Sequence, residues 1–231
     1  MTALSGMQKG RNRQVVLSGH QPCYLPSLQL FAKMAKSDAF MHCGHLQFQR
    51  RSWHHRNYIM LGGKRKGLSI PIHVRFGQPI SDAWFDDPHW KKKHLETIAQ
   101  AYKDAPFFDL YYYRLVEIFY SIPHSLAMLN MALTEYLAGC LGIQTRFVDS
   151  AEWHLEGDAV DMIIQMCKAV QADWYLSNEG ALGYISPADE VRMLKAGVMH
   201  QWLEFDDPDK EPLSAIHHLF TLGPDAAELV W

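Results

Sequence analysis

The chain is predicted to be an α/β protein, built on a mainly parallel sheet with an antiparallel hairpin addition and a three-helix insertion. Three observations predict this. A short apolar run leads through a proline-braced loop into a helical stretch and a second apolar run, the β-helix-β unit that seeds a parallel sheet. A glycine-turned hairpin and three consecutive helical stretches follow, with no strand signal between the helices. The last third then returns to strand-helix alternation.

Taken in order, Val15-Val16-Leu17 reads as a buried strand that breaks at Ser18-Gly19. His20-Gln21-Pro22-Cys23-Tyr24-Leu25-Pro26 follows, a loop whose two prolines fix their own φ and push Gln21 and Leu25 towards extended conformations. Residues 27–36 have helical spacing, with Leu28, Phe31, Met34 and Ala35 on one face. Residues 38–43 read as the second strand, which Gly44 ends. Residues 45–53, polar and aromatic by turns, form a second candidate site loop. Residues 58–61 and 68–72 around Gly62-Gly63 read as a hairpin, with Pro71 placing the second arm at an edge or at its own end.

Residues 90–102 repeat Trp90, His94, Ile98 and Ala101 at helical spacing. Ala105-Pro106 opens the next helix, which runs to about Tyr120 and carries aromatics on more than one face. The third helix covers residues 125–141 and closes at Gly142, in the C′ position. Residues 145–148 are a strand, and Asp158 caps a helix with Val160, Ile163, Ile164, Cys167 and Val170 on one face. Trp174-Tyr175-Leu176 is another strand. Ser186-Pro187-Ala188-Asp189 is a capping box with proline at the first helical position, and Gly197 ends that helix. Residues 198–205 are the last strand, and residues 213–222 a helix stopped by Gly223-Pro224. The order predicts a Rossmann-like sheet covered on both faces, in one domain over residues 15–231. Its helical block spans about residues 88–142, and residues 1–14 are a polar extension.

Size and composition agree with an ordinary globular domain: 231 residues, 48% apolar and 20% charged. A formal charge of −3 and only short basic clusters give no field for nucleic acid, and no apolar run reaches membrane-spanning length. Residues 1–14 hold no apolar core of signal-peptide length, so a cytoplasmic location is expected, without a membrane or nucleic-acid partner. The four cysteines lack CxxC spacing and are expected to be free, mostly buried thiols.

The first loop brings an imidazole, an amide, a thiol and a phenol to the carboxyl end of a predicted strand, where α/β proteins place reactive groups. His20 is the candidate general base and Tyr24 a second catalytic candidate. Gln21, Gln47 and Asn57 suit hydrogen bonding to a polyhydroxylated or amide substrate. Arg56, Lys93 and His94 suit a phosphate or carboxylate, and Tyr102 adds a hydroxyl. This assignment requires both loops and the lysine-bearing helix to converge on one cleft. Each residue also has a structural reading: prolines that only enforce a turn, a hairpin residue that only serves its turn, lysines that are only solvated.

Two other chemistries are open. A strand, a histidine loop, a helix and a strand also begin the adenylyl-forming nucleotidyltransferase folds, but the H-x-G-H pattern and a GxxxxGK[ST] cradle are absent. His20, Cys23, His42, Cys43, His45, His54 and His55 form a pool of zinc-type ligands without metal-site spacing, and strand geometry sends His42 and Cys43 to opposite faces. No metal is therefore expected, and the sequence points to no cofactor. Cys23 lies three residues from His20 without an orienting carboxylate, a weak case for a nucleophilic thiol.

Several stretches together resemble the WbqC-like family of bacterial proteins, and the resemblance runs from about Val15 to Leu229. The H-Q-P-x-Y-L-P signature is His20 to Pro26, the Q-F is Gln47-Phe48, and the W-x-x-R-N segment is Trp53, Arg56 and Asn57. Trp90, His94, Thr97, Ile98, Tyr102 and Ala105-Pro106-Phe107 match its central pattern. Gly157-Asp158, Asp161, the stretch Ala172-Asp173-Trp174-Tyr175-Leu176-Ser177 and the ending from Leu213 to Pro224 match the remainder. The resemblance implies transfer of a small group, acyl or aminoacyl, onto a sugar, a sugar nucleotide or a related small molecule in surface-glycan or secondary-metabolite biosynthesis. A non-catalytic binding protein and a divergent nucleotidyltransferase-like enzyme are the alternatives. The chain departs from the family pattern at Gly44 and His45, where paired aspartates are expected, at His54-His55, where an amide pair is usual, and at Cys23, where asparagine is common. Those departures put the family's substrate and activity in doubt for this chain.

Overall fold

The computed structural model describes residues 13–86, 88–209 and 211–231; most of the predicted N-terminal extension, residues 1–12, lies outside them. Five parallel strands make the main sheet: β1 (Val16–His20), β2 (Ala39–His42), β5 (Arg146–Asp149), β6 (Trp174–Ser177) and β7 (Met199–Trp202), in the order β5-β2-β1-β6-β7. Chain order within the sheet is thus 3-2-1-4-5, the Rossmann order, with the reversal between β1 and β6. Strand β1 pairs Leu17 with Ala39 on one side and with Tyr175 on the other.

Alternation along the strands splits the core into two layers. Leu17, Ala39, Met41 and Val148 pack with Val160, Ile163 and Cys167 of α5 (Ala159–Val170) and Met193 of α6 (Pro187–Lys195). Phe40 faces the opposite layer, made by α1 (Leu28–Ala35), α2 (His89–Tyr102), α3 (Phe108–Ser121), α4 (Leu126–Cys140) and α7 (Ile216–Leu222). Both faces are therefore covered. Phe31, Phe119 and Phe220 of this second layer are buried to 1% exposure or less, each contributing about 1.5–3 kcal/mol of hydrophobic stabilisation. The predicted caps Asp158 and Ser186 are in place, accepting from the first turns of α5 and α6, and Ser125 caps α4 in the same way. Arg192 joins the α5 and α6 caps through Asp158, Asp161 and Asp189.

The structure departs from the sequence reading at several points. The first strand does not break at Ser18-Gly19 but continues through His20, because it is paired on both sides and its polar groups are met. Ser37 donates its hydroxyl to Ser18, and the Cys43 N–H donates to the His20 carbonyl at 2.9 Å. Gly19 fits closely there, since a Cβ would lie 3.2 Å from the Cys43 sulfur. Leu25, expected to be extended, has φ 45°. Proline at the next position disfavours only the right-handed region, and Asn57 holds the Leu25 carbonyl in the left-handed one.

The hairpin forms as β3 (Arg56–Leu61) and β4 (Lys64–Ser69), with Gly62 and Gly63 both at positive φ in a two-residue turn. It is a separate two-stranded sheet rather than two more strands of the main one. The groups of β3 that would pair another strand are taken: Tyr58 O accepts from Ser214 N and Met60 N donates to the Tyr102 hydroxyl. Ala215 N similarly donates to Pro26 O, so the backbone of 214–215 is bonded outside the helix and α7 begins at Ile216 instead of residue 213. After Gly223 the chain continues as a 3₁₀ segment, Gly223–Leu229.

Candidate functional site

In open α/β sheets ligands sit beyond the carboxyl ends of the strands where the strand order reverses. Here that place lies between the ends of β1 and β6, and a cavity of about 520 Å³ occupies it. Gly19 and His20 at the end of β1, Gln21 after it, Lys33 of α1, His45 after β2, Ser177 at the end of β6 and Asn178 after it supply its polar wall. Met162, Ile163 and Met166 of α5 supply the apolar side. A smaller cavity of about 100 Å³ lies on the other side of His20, reaching Cys23, Trp53 and Asn57.

His20 ends β1 half-buried, and its Nδ1 lies 2.8 Å from the Gln21 carbonyl. A carbonyl only accepts, so Nδ1 carries the proton and Nε2 keeps a free lone pair. Burial, and next the Lys33 ammonium, push its pKa down to about 3, so the ring is neutral. Lys33, only 2% exposed, donates from Nζ to the Gly19 carbonyl at 2.8 Å, and burial lowers its pKa to about 8.

Gln21 is oriented by His54, which is 1% exposed. The Gln49 N–H donates to His54 Nδ1 at 3.3 Å, which leaves the proton on Nε2 to be donated to Gln21 Oε1 at 3.1 Å. The Gln21 amide therefore presents its NH₂ donors away from His54. Cys23 lies 3.5 Å from His20 Nδ1, but that nitrogen holds a proton and burial raises the thiol to about 12. A thiolate nucleophile activated by His20 is not formed.

The two predicted loops do converge. Tyr24 N donates to Trp53 O, and Asn130 of α4, fully buried, donates from Nδ2 to the carbonyls of Pro22 and His54. The lysine-bearing helix does not join them: Lys93 is exposed on α2. Tyr24 and His94, predicted for the cleft, meet in the core instead. The Tyr24 hydroxyl donates to His94 Nδ1 at 2.8 Å, against Trp90 and Phe119, and Tyr24 is 0% exposed. Tyr102 is buried where α2 meets the hairpin, 3.2 Å from His217 Nδ1. Gln47 is exposed and its neighbours His45, Leu46 and Gln49 reach the cavity in its place. Arg56 caps the Arg51 carbonyl at 2.5 Å. Asn57 borders the small cavity, but both its amide protons go to the loop carbonyls of Tyr24 and Leu25.

From sequence, Lys33, Ser177 and Asn178 were not proposed as site residues, and His45 was named only as a zinc-type ligand and a departure from the family pattern. The last three follow predicted strands, so the sheet-end rule applied to β2 and β6, as it was to β1, reaches them. Lys33 carries no such signal, since it lies off the apolar stripe of α1. His45, where the resemblance leads one to expect an aspartate, stands at the cavity with Nδ1 2.7 Å from Ser150 Oγ. Of the zinc-type ligand pool, His42 stacks on Phe147 beside Glu135, and among the described residues no three such side chains gather as a metal site.

Comparison with known proteins adds a family and a relative. The model of the WbqC-like protein family matches residues 21–228. A Mycobacterium tuberculosis (strain ATCC 25618 / H37Rv) protein, "Uncharacterized protein Rv1507c", is 26% identical over 189 residues, covering 80% of each chain. No solved structure matches the chain.

Proposed function

The chain belongs to the WbqC-like protein family, and from that premise we propose that it is a cytoplasmic small-molecule group transferase. The transferred unit is an acyl or aminoacyl group. The acceptor is a hydroxyl or amine of a sugar, a sugar nucleotide or a related small molecule, in surface-glycan or secondary-metabolite biosynthesis. Among the described residues no helix is long and apolar enough to cross a membrane.

One observation carries this reading: a neutral imidazole at the switch-point cavity whose Nδ1 is committed and whose Nε2 can accept a proton. The acceptor's O–H or N–H attacks the carbonyl carbon of an activated acyl donor, such as a thioester, and its proton passes to His20 Nε2. As the tetrahedral adduct collapses, the bond to the leaving group breaks and that group takes the proton from His20. The free NH₂ donors of Gln21 suit the carbonyl oxygen as it gains charge.

A binding protein without turnover is the second reading, favoured because, among the described residues, the wall of the large cavity holds no carboxylate. Turnover separates the two. With purified protein, acyl or aminoacyl donors and sugar-nucleotide acceptors, His20→Gln should lower the rate about 10²–10⁴-fold while leaving the fold intact. A folded His20→Gln variant as active as wild type would remove His20 from the chemistry.

A further inference from the structure

The wall of the switch-point cavity holds more unsatisfied hydrogen-bonding capacity than a proton transfer requires. Lys33 is an ammonium at 2% exposure whose only hydrogen bond among the described residues is to the Gly19 carbonyl. The groups that act on it electrostatically are the thiols of Cys43 and Cys23, which burial pushes up to about 12 and so keeps neutral, with no carboxylate among them. A buried cation lacking a counter-charge is unfavourable unless another molecule supplies one. Ser177, also 2% exposed, borders the same cavity, and its Oγ is buried without a hydrogen-bond partner. His45 Nε2, likewise at the cavity, is in the same condition.

These groups belong to one place. Strand β1 runs beside β6 with Ser18 opposite Leu176, so Ser177 stands next to Gly19, whose carbonyl holds the Lys33 ammonium. Gly19 has no side chain to stand between them and the cavity, and the Gln21 amide adds NH₂ donors from the same wall.

We propose that this cavity binds a phosphate-type anion, anchored by the Lys33 ammonium and hydrogen-bonded by Ser177 and His45. The inference rests on the reading of the cavity as the substrate site, and it assigns the substrate's charged end. The donor set favours phosphate over carboxylate. A flat carboxylate is matched by the planar fork of arginine, and among the described residues no arginine lines the cavity. A point charge with a hydroxyl, an imidazole and an amide on different elements suits a tetrahedral anion that accepts from several directions. Bound negative charge also offsets the lysine's field at His20, which after burial is the next cause of that ring's lowered pKa.

The test is calorimetric titration of the full chain with inorganic pyrophosphate, citrate and uridine, on wild type, Lys33→Met and Ser177→Ala. Pyrophosphate should bind wild type, lose at least tenfold in affinity in Lys33→Met and lose several-fold in Ser177→Ala. The formal charge of −3 means that binding would not reflect a general attraction for anions. Lys33→Met removes an uncompensated buried charge and should melt no lower than wild type. If that variant fails to fold, Ser177→Ala alone decides, since it deletes one unpaired hydroxyl. Equal pyrophosphate affinity in wild type and the folded variants, or no binding at all, overturns the proposal. Citrate binding as tightly as pyrophosphate overturns the choice of phosphate. Uridine binding that survives Lys33→Met, with pyrophosphate inert, keeps the cavity as a ligand site and discards the anion, which separates this failure from failure of the transferase reading.

Discussion

Replacing Asn57 by alanine tests whether the proline-braced loop is held by a buried clamp or whether that side chain serves a ligand. Asn57 is 3% exposed, and its Nδ2 donates to Tyr24 O at 3.2 Å and to Leu25 O at 2.6 Å, while Oδ1 accepts from Tyr58 N at 2.7 Å. Alanine leaves those two carbonyls short of a partner, at about 1–1.5 kcal/mol each. It also leaves the Tyr58 N–H without its acceptor, at about 1 kcal/mol, and frees Leu25 to leave its φ of 45°. Together the loss is about 3 kcal/mol. In a domain of this size each kcal/mol moves the melting temperature by about 2–4 °C, so Asn57→Ala should melt about 6–12 °C below wild type. Asn57→Asp keeps the shape but has no donor, and should lose at least as much near neutral pH. Differential scanning calorimetry and urea midpoints read both variants. An Asn57→Ala protein that melts within about 2 °C of wild type refutes the clamp; if it has also lost ligand binding, Asn57 touches the ligand.

Three further outcomes are expected. Tyr24→Phe removes the hydrogen bond to His94 and leaves the His94 nitrogen unpaired in the core, costing about 1–2 kcal/mol in urea unfolding with turnover unchanged; lost turnover at full stability would return Tyr24 to the chemistry. Burial lowers the pKa of both His54 and His94 to about 4, so below 6.5 the unfolded chain takes up protons that the folded one refuses. Stability should be full above pH 6.5 and fall towards pH 4 by up to about 1.4 kcal/mol per pH unit for each ring, and His94→Gln should flatten the urea-midpoint profile; a profile unchanged between pH 7 and 5 would contradict neutral buried rings. Gly19→Val places a branched side chain where a first carbon already comes within 3.2 Å of the Cys43 sulfur, so it should both lower the melting temperature and abolish ligand-induced stabilisation. A variant that still responds to ligand would mean that binding occurs away from the floor between β1 and β6.

Much of the fold was legible in the chain because it depends on local physics. Period-two and period-3.6 patterns, the capping residues Asp158 and Ser186, and the Gly62-Gly63 turn marked the elements within a few residues. That His20 and Gln21 line the sheet-end cavity was legible because they follow the predicted strand. Local pattern also misled at Ser18-Gly19, where glycine reads as a break until pairing on both sides carries the strand through it.

What only the tertiary structure decided is which polar groups meet water-sized space and which meet each other. Tyr24 and His94 are seventy residues apart, and Asn57 and Leu25 thirty-two; nothing local indicates that each pair satisfies itself in the core. Lys33 looks like a solvated helix lysine until β6 comes to lie beside β1 and the Gly19 carbonyl captures its ammonium. The physical reason is the same throughout. Spacing along the chain fixes which face of an element is apolar, but the role of a polar side chain depends on the partner that the fold brings to it, and that partner is set by the strand order.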